Sequence, residues 1–294
     1  MGCDRVGWGG EAMRWAKAAG RGERRADLGM RIARATLIGA VGAFAKAVTA
    51  VLNRTTVYNS ETLLRLVSSR PRGTPLLTVS NHMSTLDDPL MWGFKGFPTM
   101  DARLQRWVLA AEDICFKNSL LSYLFRLGKC IPITRGAGIY QPHMNEALQI
   151  LSRGEWLHSF SEGKVSQERV PIRQLKWGTA SLIVRSPVTP IVLPIVHSGF
   201  DKVMPEKQFL FWKRPLLPLC NKEVRIIVGD PLHFDIHSLK QTALSVSRKE
   251  NEKEELRGWP TLHPDGLEEV PQRWLYSTIS HKIQCAMERL RTRI

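Results

Sequence analysis

Beyond about residue 70 the chain alternates between short β-branched apolar runs and stretches whose apolar residues recur at helical spacing. The runs at 75–80, 106–111, 130–134, 156–160, 190–196 and 224–229 predict strands, and 89–96, 119–127, 141–151 and 174–184 predict helices. This alternation predicts an α/β domain with a mixed central sheet flanked by helices, and the near-continuous apolar strands predict a sheet covered on both faces. From Gln272 onward Leu275, Ile279, Ile283, Met287 and Leu290 fall on one stripe, so 272–294 reads as a helix packed on that domain. Residues 237–271 carry a charge-dense run and the turn residues Gly258, Pro260, Pro264, Gly266 and Pro271, which predict a surface excursion or linker. The α/β domain is thereby placed at 55–236.

The amino-terminal part has a different texture. Residues 1–29 are basic, rich in Gly and Ala and without a clean apolar period, which predicts poor order or a weak helix. The segment 35–52, ATLIGAVGAFAKAVTAVL, has a single charge, Lys46, in its 18 residues. As a helix it would be about 27 Å long against a hydrocarbon core of about 30 Å. With Arg31 and Arg34 before it and Arg54 after it, residues 30–54 read as a membrane-associating helix with snorkelling cations, and an Ala-rich core helix is the alternative. Four acidic residues before position 30 argue against a transit peptide, and Val6 stands where N-myristoylation needs Ser or Thr.

Composition narrows the partners. The 294 residues hold 42 Lys+Arg against 27 Asp+Glu, a formal net charge of +15. Such an excess attracts polyanions, either nucleic acid or an anionic lipid surface. Five separated cysteines, with no C-x-x-C and no Cys/His cluster, exclude a disulfide framework and a zinc knuckle and suit a reducing compartment.

Candidate chemistry sits where predicted strands end. After the first strand comes NHMSTLDDP, in which His82 and Asp87 can meet in a strand-to-helix turn, with Asp88 read as N-cap and Pro89 as the first helical residue. A carboxylate on one imidazole nitrogen fixes the tautomer and leaves the other nitrogen free to take a proton. This is half a triad without a protein nucleophile; a capping histidine is the structural alternative. The strand at 130–134 delivers Arg135, whose planar fork suits a phosphate. FSEGK follows the strand at 156–160 and supplies Glu162, the flexible Gly163 and the cation Lys164. Basic residues continue downstream through Arg169, Arg173, Lys176 and Arg185. The strands lack the aromatic platforms that single-stranded nucleic-acid binders use, so no nucleic-acid partner is expected and a phospholipid headgroup is preferred.

Taken in order, His-x4-Asp, the Gly-to-Arg strand block, Phe-Ser-Glu-Gly and the Pro-rich PIVLP resemble the four blocks of the glycerolipid acyltransferase superfamily. NHMSTLDDPLMWG, FSEGKV, LKWGTASLI and TPIVLPIVHSGFDKVMP look like the tafazzin family, and VSNHMSTLDDP, WVLAAEDICF and GKCIPITRG like its plant branch, which includes N-acylphosphatidylethanolamine synthases. The likeness runs from about residue 36 to the end. It implies that His82 is the general base, that Asp87 orients it, and that Arg135 grips phosphate while Glu162 and Gly163 shape the acceptor site. Lys164 and Lys176 would assist the phosphate, and main-chain or cationic groups near Arg135 and Gly163 would stabilise the oxyanion. It further implies phospholipid and lysophospholipid substrates, an anionic membrane surface as partner, and no metal or prosthetic group. The setting implied is phospholipid or cardiolipin remodelling at a mitochondrial membrane, with endomembrane or plasma membrane left open. One departure is Ser161, where the family usually has Pro, which is expected to loosen that loop and add a hydroxyl.

Overall fold

In the computed structural model, which describes residues 8–167, 171–206, 215–250 and 269–294, the apolar runs pair into one sheet. Its strands are β1 (Arg54–Tyr58), β2 (Leu76–Ser80), β3 (Trp107–Ala111), β4 (Cys130–Ile133), β5 (Trp156–Phe160), β6 (Ile191–Ser198) and β7 (Glu223–Val228). Their spatial order is β1-β7-β6-β2-β5-β3-β4. Every neighbouring pair is parallel except β6 with β7, which makes the sheet mixed.

Because strand side chains alternate between faces, β2 and β5 feed two separate cores. Leu77, Val79 and Leu157 face a layer with α6 (Pro142–Ser152), α7 (Trp177–Arg185) and α10 (Glu269–Arg291). Leu76 and Trp156 face the other layer, which holds α2 (Ser60–Ser69), Trp92, Phe94 and Phe97. The stripe Leu275, Ile279, Ile283, Met287 and Leu290 of α10 is buried. Among the described cysteines, Cys130 is buried as a small apolar side chain would be, whereas Cys220 and Cys285 are exposed.

Several local expectations are corrected. β1 and α2 had no counterpart in the pattern, because β1 alternates exposed and half-buried positions at a sheet edge and carries no apolar run. Residues from Trp8 belong to a single helix, α1 (Trp8–Lys46), which continues as a π-helical stretch, Ala47–Leu52, so of the two forms expected for 1–29 its described part takes the helix. α9 (Ile236–Glu250) occupies the first part of the expected linker, and the rest of that charged run, 251–268, lies outside the described residues. The helix expected at 89–96 is one turn, α3 (Asp87–Leu90), entered through Leu86 and followed by turns. Asp88 is not its N-cap: it lies inside the turn that Leu86 enters, and the Asp88–Pro89 peptide is cis. The Asp88 carboxylate instead forms an ion pair with Arg106 and accepts a 2.7 Å bond from Trp92 Nε1.

The carboxyl end of α1 lies directly on the segment after α3. A Cβ on Gly93 would stand 2.4 Å from the carbonyl oxygen of Ala45, so only glycine permits this approach. Within Asp27–Leu52 the helix is long and apolar enough to cross a membrane, yet only 28% of the apolar window is buried. Leu28, Ile32, Phe44 and Val51 are exposed, which a helix serving only as core would not show.

A chain of buried hydrogen bonds stitches β2 to β5. Trp156 Nε1 donates to Thr78 Oγ1 (2.9 Å), whose hydroxyl donates to His158 Nδ1 (2.8 Å). His158 Nε2 then donates to Ser80 Oγ (3.3 Å), which donates to the Asn81 carbonyl (3.1 Å). This circuit needs a neutral His158, and burial holds its pKa down at about 3 against an ordinary 6.5. Between those values the unfolded chain carries the proton and the native chain does not, so stability falls as the pH drops below about 6.5. The slope approaches roughly 1.4 kcal/mol per pH unit, or about 2 kcal/mol lost by pH 5. Urea unfolding at pH 7 and pH 5 measures this loss, and His158→Gln is expected to shrink it.

Candidate active site

Three adjacent parallel strands end on one line. Ser80 of β2 sits opposite Phe160 of β5 and Ile195 of β6, so the loops after β2 and β5 and the last residues of β6 converge at the carboxyl edge of the sheet. In parallel α/β sheets this edge is where ligands bind. Asn81 locks the convergence. Its side chain donates to the His197 carbonyl and accepts from the His197 N–H, both at 2.9 Å, and its carbonyl accepts from His197 Nε2 at 2.9 Å.

His82 and Asp87 meet as the spacing predicts. The turn that brings them together is closed by Asp87 N–H donating to the Ser84 carbonyl (3.0 Å). His82 Nδ1 donates to Asp87 Oδ2 at 2.9 Å, and the same oxygen accepts the N–H groups of Met83 (2.6 Å) and Ser84 (2.9 Å). The carboxylate is fully buried, whereas the imidazole is 20% exposed and stacks on Phe160 with 4.0 Å between ring centres. With Nδ1–H committed to Asp87, Nε2 is the ring nitrogen left to exchange a proton, as a general base must.

Glu162 reaches the same place from β5. Its Oε1 accepts from the His82 N–H (3.2 Å) and its Oε2 from the Arg173 N–H (3.4 Å), so it braces the backbone of the imidazole rather than its ring. Burial raises the Glu162 pKa against the opposing pull of those hydrogen bonds. Gly163 turns the chain at φ +74°, and a Cβ there would press on Lys176 Cγ at 3.3 Å. Lys176 is tied in through its N–H to the Ser161 carbonyl (2.8 Å), while Lys164 is exposed. The Gly163 N–H donates to the Phe160 carbonyl (3.1 Å) and is engaged within the turn. Ser161 does not loosen its loop. It is buried, with its hydroxyl 2.5 Å from Thr179 Oγ1 of α7 and 3.3 Å from Ser159 Oγ.

Arg135 stands apart from this cluster. It is exposed at the end of β4 and forms an ion pair with Asp113 of α4 (Glu112–Cys115). Among the described residues no hydrogen bond or ion pair joins it to His82, Asp87 or Glu162. The residue that sequence reasoning missed is His197, buried in β6 with Nε2 3.6 Å from Asp87 Oδ2. Its only sequence signal is a histidine inside an apolar strand run.

The arrangement places a partly exposed imidazole, oriented by one buried carboxylate and braced through its backbone by another, where it can exchange a proton with a bound group. The acyltransferase family model matches residues 54–198, a span that contains β1 through β6 and every residue of the cluster. An Arabidopsis thaliana N-acylphosphatidylethanolamine synthase is 56% identical over 96% of this chain and 98% of its own length. Drosophila melanogaster tafazzin is 43% identical over 68% of this chain and 51% of its own, and a Dictyostelium discoideum tafazzin is 44% identical over 55% and 56%. With the His82–Asp87 pair held at the sheet edge and a relative matched along nearly its whole length, the chain belongs to the acyltransferase family.

Proposed function

We propose that the protein is a phospholipid acyltransferase working at a membrane surface, moving a fatty acyl chain from a donor lipid to a lysophospholipid hydroxyl. The observation that carries this reading is the Nε2 of His82, oriented through Nδ1 by a buried carboxylate. His82 Nε2 takes the acceptor proton as the oxygen attacks the donor carbonyl and the new C–O bond forms. Collapse of the tetrahedral intermediate breaks the donor C–O bond, and the departing oxygen takes the proton back from His82. The cations Lys164 and Lys176, with main-chain groups beside Gly163, answer the developing negative charge. Arg135 fits a phosphate once that anion replaces Asp113 on its guanidinium.

Membrane contact is supported by α1 and by α5 (Ser119–Leu127), which pack against each other. α5 turns Leu120, Tyr123 and Leu124 outward at helical spacing, extending the apolar surface that α1 exposes. Cardiolipin remodelling in a mitochondrial membrane is the setting that the tafazzin likeness favours.

A second reading, transfer to the amine of phosphatidylethanolamine, is favoured by the 56% identity to the Arabidopsis synthase. His82 would then take the proton that the nitrogen releases. Liposome-bound protein given labelled phospholipid or labelled acyl-CoA, each with lysophospholipid and with phosphatidylethanolamine, separates the readings. Label passing from phospholipid to lysophospholipid is the expected result, and label on nitrogen selects the amine. No transfer from either donor would overturn both.

A further inference from the structure

Asp87 Oδ2 is held by the N–H groups of two successive peptide units, those joining His82 to Met83 and Met83 to Ser84. A peptide unit is planar and trans, so whatever pins its carbonyl also aims its N–H. Both carbonyls are pinned, and by neighbouring residues. The His82 carbonyl accepts from the Ser166 N–H (2.8 Å), and the Met83 carbonyl accepts from Gln167 Nε2 (3.0 Å). The segment after β5 thus grips, from behind, the two peptide units whose other ends hold the carboxylate that orients His82.

Gln167 closes more than one bond. Its Nε2 also donates to the Met204 carbonyl (3.1 Å), and its Oε1 accepts from the Glu206 N–H (2.9 Å), both just after α8 (Phe200–Val203). One amide therefore joins the loop after β2 to the chain after α8, using two donors and an acceptor. The reverse placement of the amide would set its oxygen against two carbonyls, so the partners dictate its orientation. A carboxylate here would offer no N–H, and an apolar chain neither donor nor acceptor.

The strip that Gln167 holds borders open space. Met83, Glu162 and Ser166 line a cleft of about 410 Å³, the size of a small-molecule site, which also takes in Asp201, Lys202 and Arg225, charges of both signs. Backbone open to a cleft on one side depends on hydrogen bonds to stay in place. A bond accepted at a carbonyl also polarises the N–H of the same peptide unit, which strengthens its hold on a carboxylate.

We infer that Gln167 is a positioning residue for acyl transfer, acting through the Met83 carbonyl on the Ser84 N–H, and through that on Asp87 and His82. This rests on the acyltransferase reading above and adds a residue that lies two places beyond FSEGKV, outside the blocks that carry the family likeness.

The test uses the full chain on liposomes. Gln167→Met keeps the length of the side chain and removes its donors. Amide hydrogen exchange in peptides spanning 82–84, read by mass spectrometry, is expected to quicken about tenfold in this variant, the scale of the hydrogen bonds lost. Acyl transfer is expected to lose about tenfold or more in kcat, with KM within about twofold. In a His82→Ala background the same change is expected to cost less than about twofold, because its effect passes through the imidazole. Gln167→Glu, which keeps the acceptor for the Glu206 N–H and loses both donors, is expected to behave as Gln167→Met does, with thermal unfolding as the fold check. Unchanged exchange at 82–84 would remove the clamp whether or not transfer is seen. Exchange that quickens while kcat holds, a loss that falls on KM, or a loss repeated in full in His82→Ala would make Gln167 a loop staple and overturn the positioning role. Absence of transfer by the wild type from any donor would instead remove the acyltransferase reading, with the exchange result still deciding the clamp.

Discussion

Acyl transfer by His82→Ala is expected to fall by about 10³-fold in kcat, the scale of a lost general base, with vesicle binding and unfolding midpoint close to wild type. The stability expectation follows from the geometry. The imidazole is partly exposed, and its removal leaves Asp87 Oδ2 with the Met83 and Ser84 N–H groups. Asp87→Asn tests the charge separately. The amide oxygen can take the place of Oδ2 and keep all three hydrogen bonds, with the NH2 in the unpartnered place of Oδ1, so the ring stays oriented but the negative charge that stabilises the imidazolium is lost. A loss on the order of 10²-fold or more is therefore expected, with substrate affinity little changed. Turnover by His82→Ala within a few-fold of wild type would remove the dyad from the mechanism.

The second large effect is on stability. Asp88 and Arg106 pair in the interior, with 13% and 8% of their side chains exposed, so Arg106→Met strands a carboxylate beside the dyad. Breaking such a pair on one side costs about 3–5 kcal/mol. Replacing both partners with apolar residues, Arg106→Met with Asp88→Leu, is expected to recover much of that, because the interior then holds no unanswered charge. Burial alone would raise the Asp88 pKa, and Arg106 outweighs it and holds the group below its usual range. The stability contributed by this pair is therefore present above the ordinary carboxylate pKa and is lost as acid protonates Asp88. Urea unfolding of the single and double variants measures it, and a single variant as stable as wild type would refute it.

That ion pair also shows where local reading stopped working. Asp-Pro in sequence reads as a cap and a first helical residue, and each propensity is sound by itself. Arg106, 18 positions along and carried in by β3, claims the carboxylate instead. Arg135 is a different case. Its position after a strand was correctly foreseen, but a strand end says nothing of neighbours, and β4 lies at the sheet edge, where Asp113 is the partner. A Ser at 161 by itself favours a looser loop, yet Thr179 and Ser159 tie its hydroxyl down.

The sequence by itself determined the alternation of strands and helices, the apolar amino-terminal helix and the His82–Asp87 contact. Each of these depends on residues a few positions apart, whose periodicity and turn chemistry act before distant parts of the chain meet. Only the tertiary structure decided that Glu162 braces His82, that Asn81 and His197 lock β2 to β6, and that a mixed-charge cleft opens beside them. Those groups are brought together by sheet order and burial, which join residues roughly a hundred positions apart and leave no local trace in the chain.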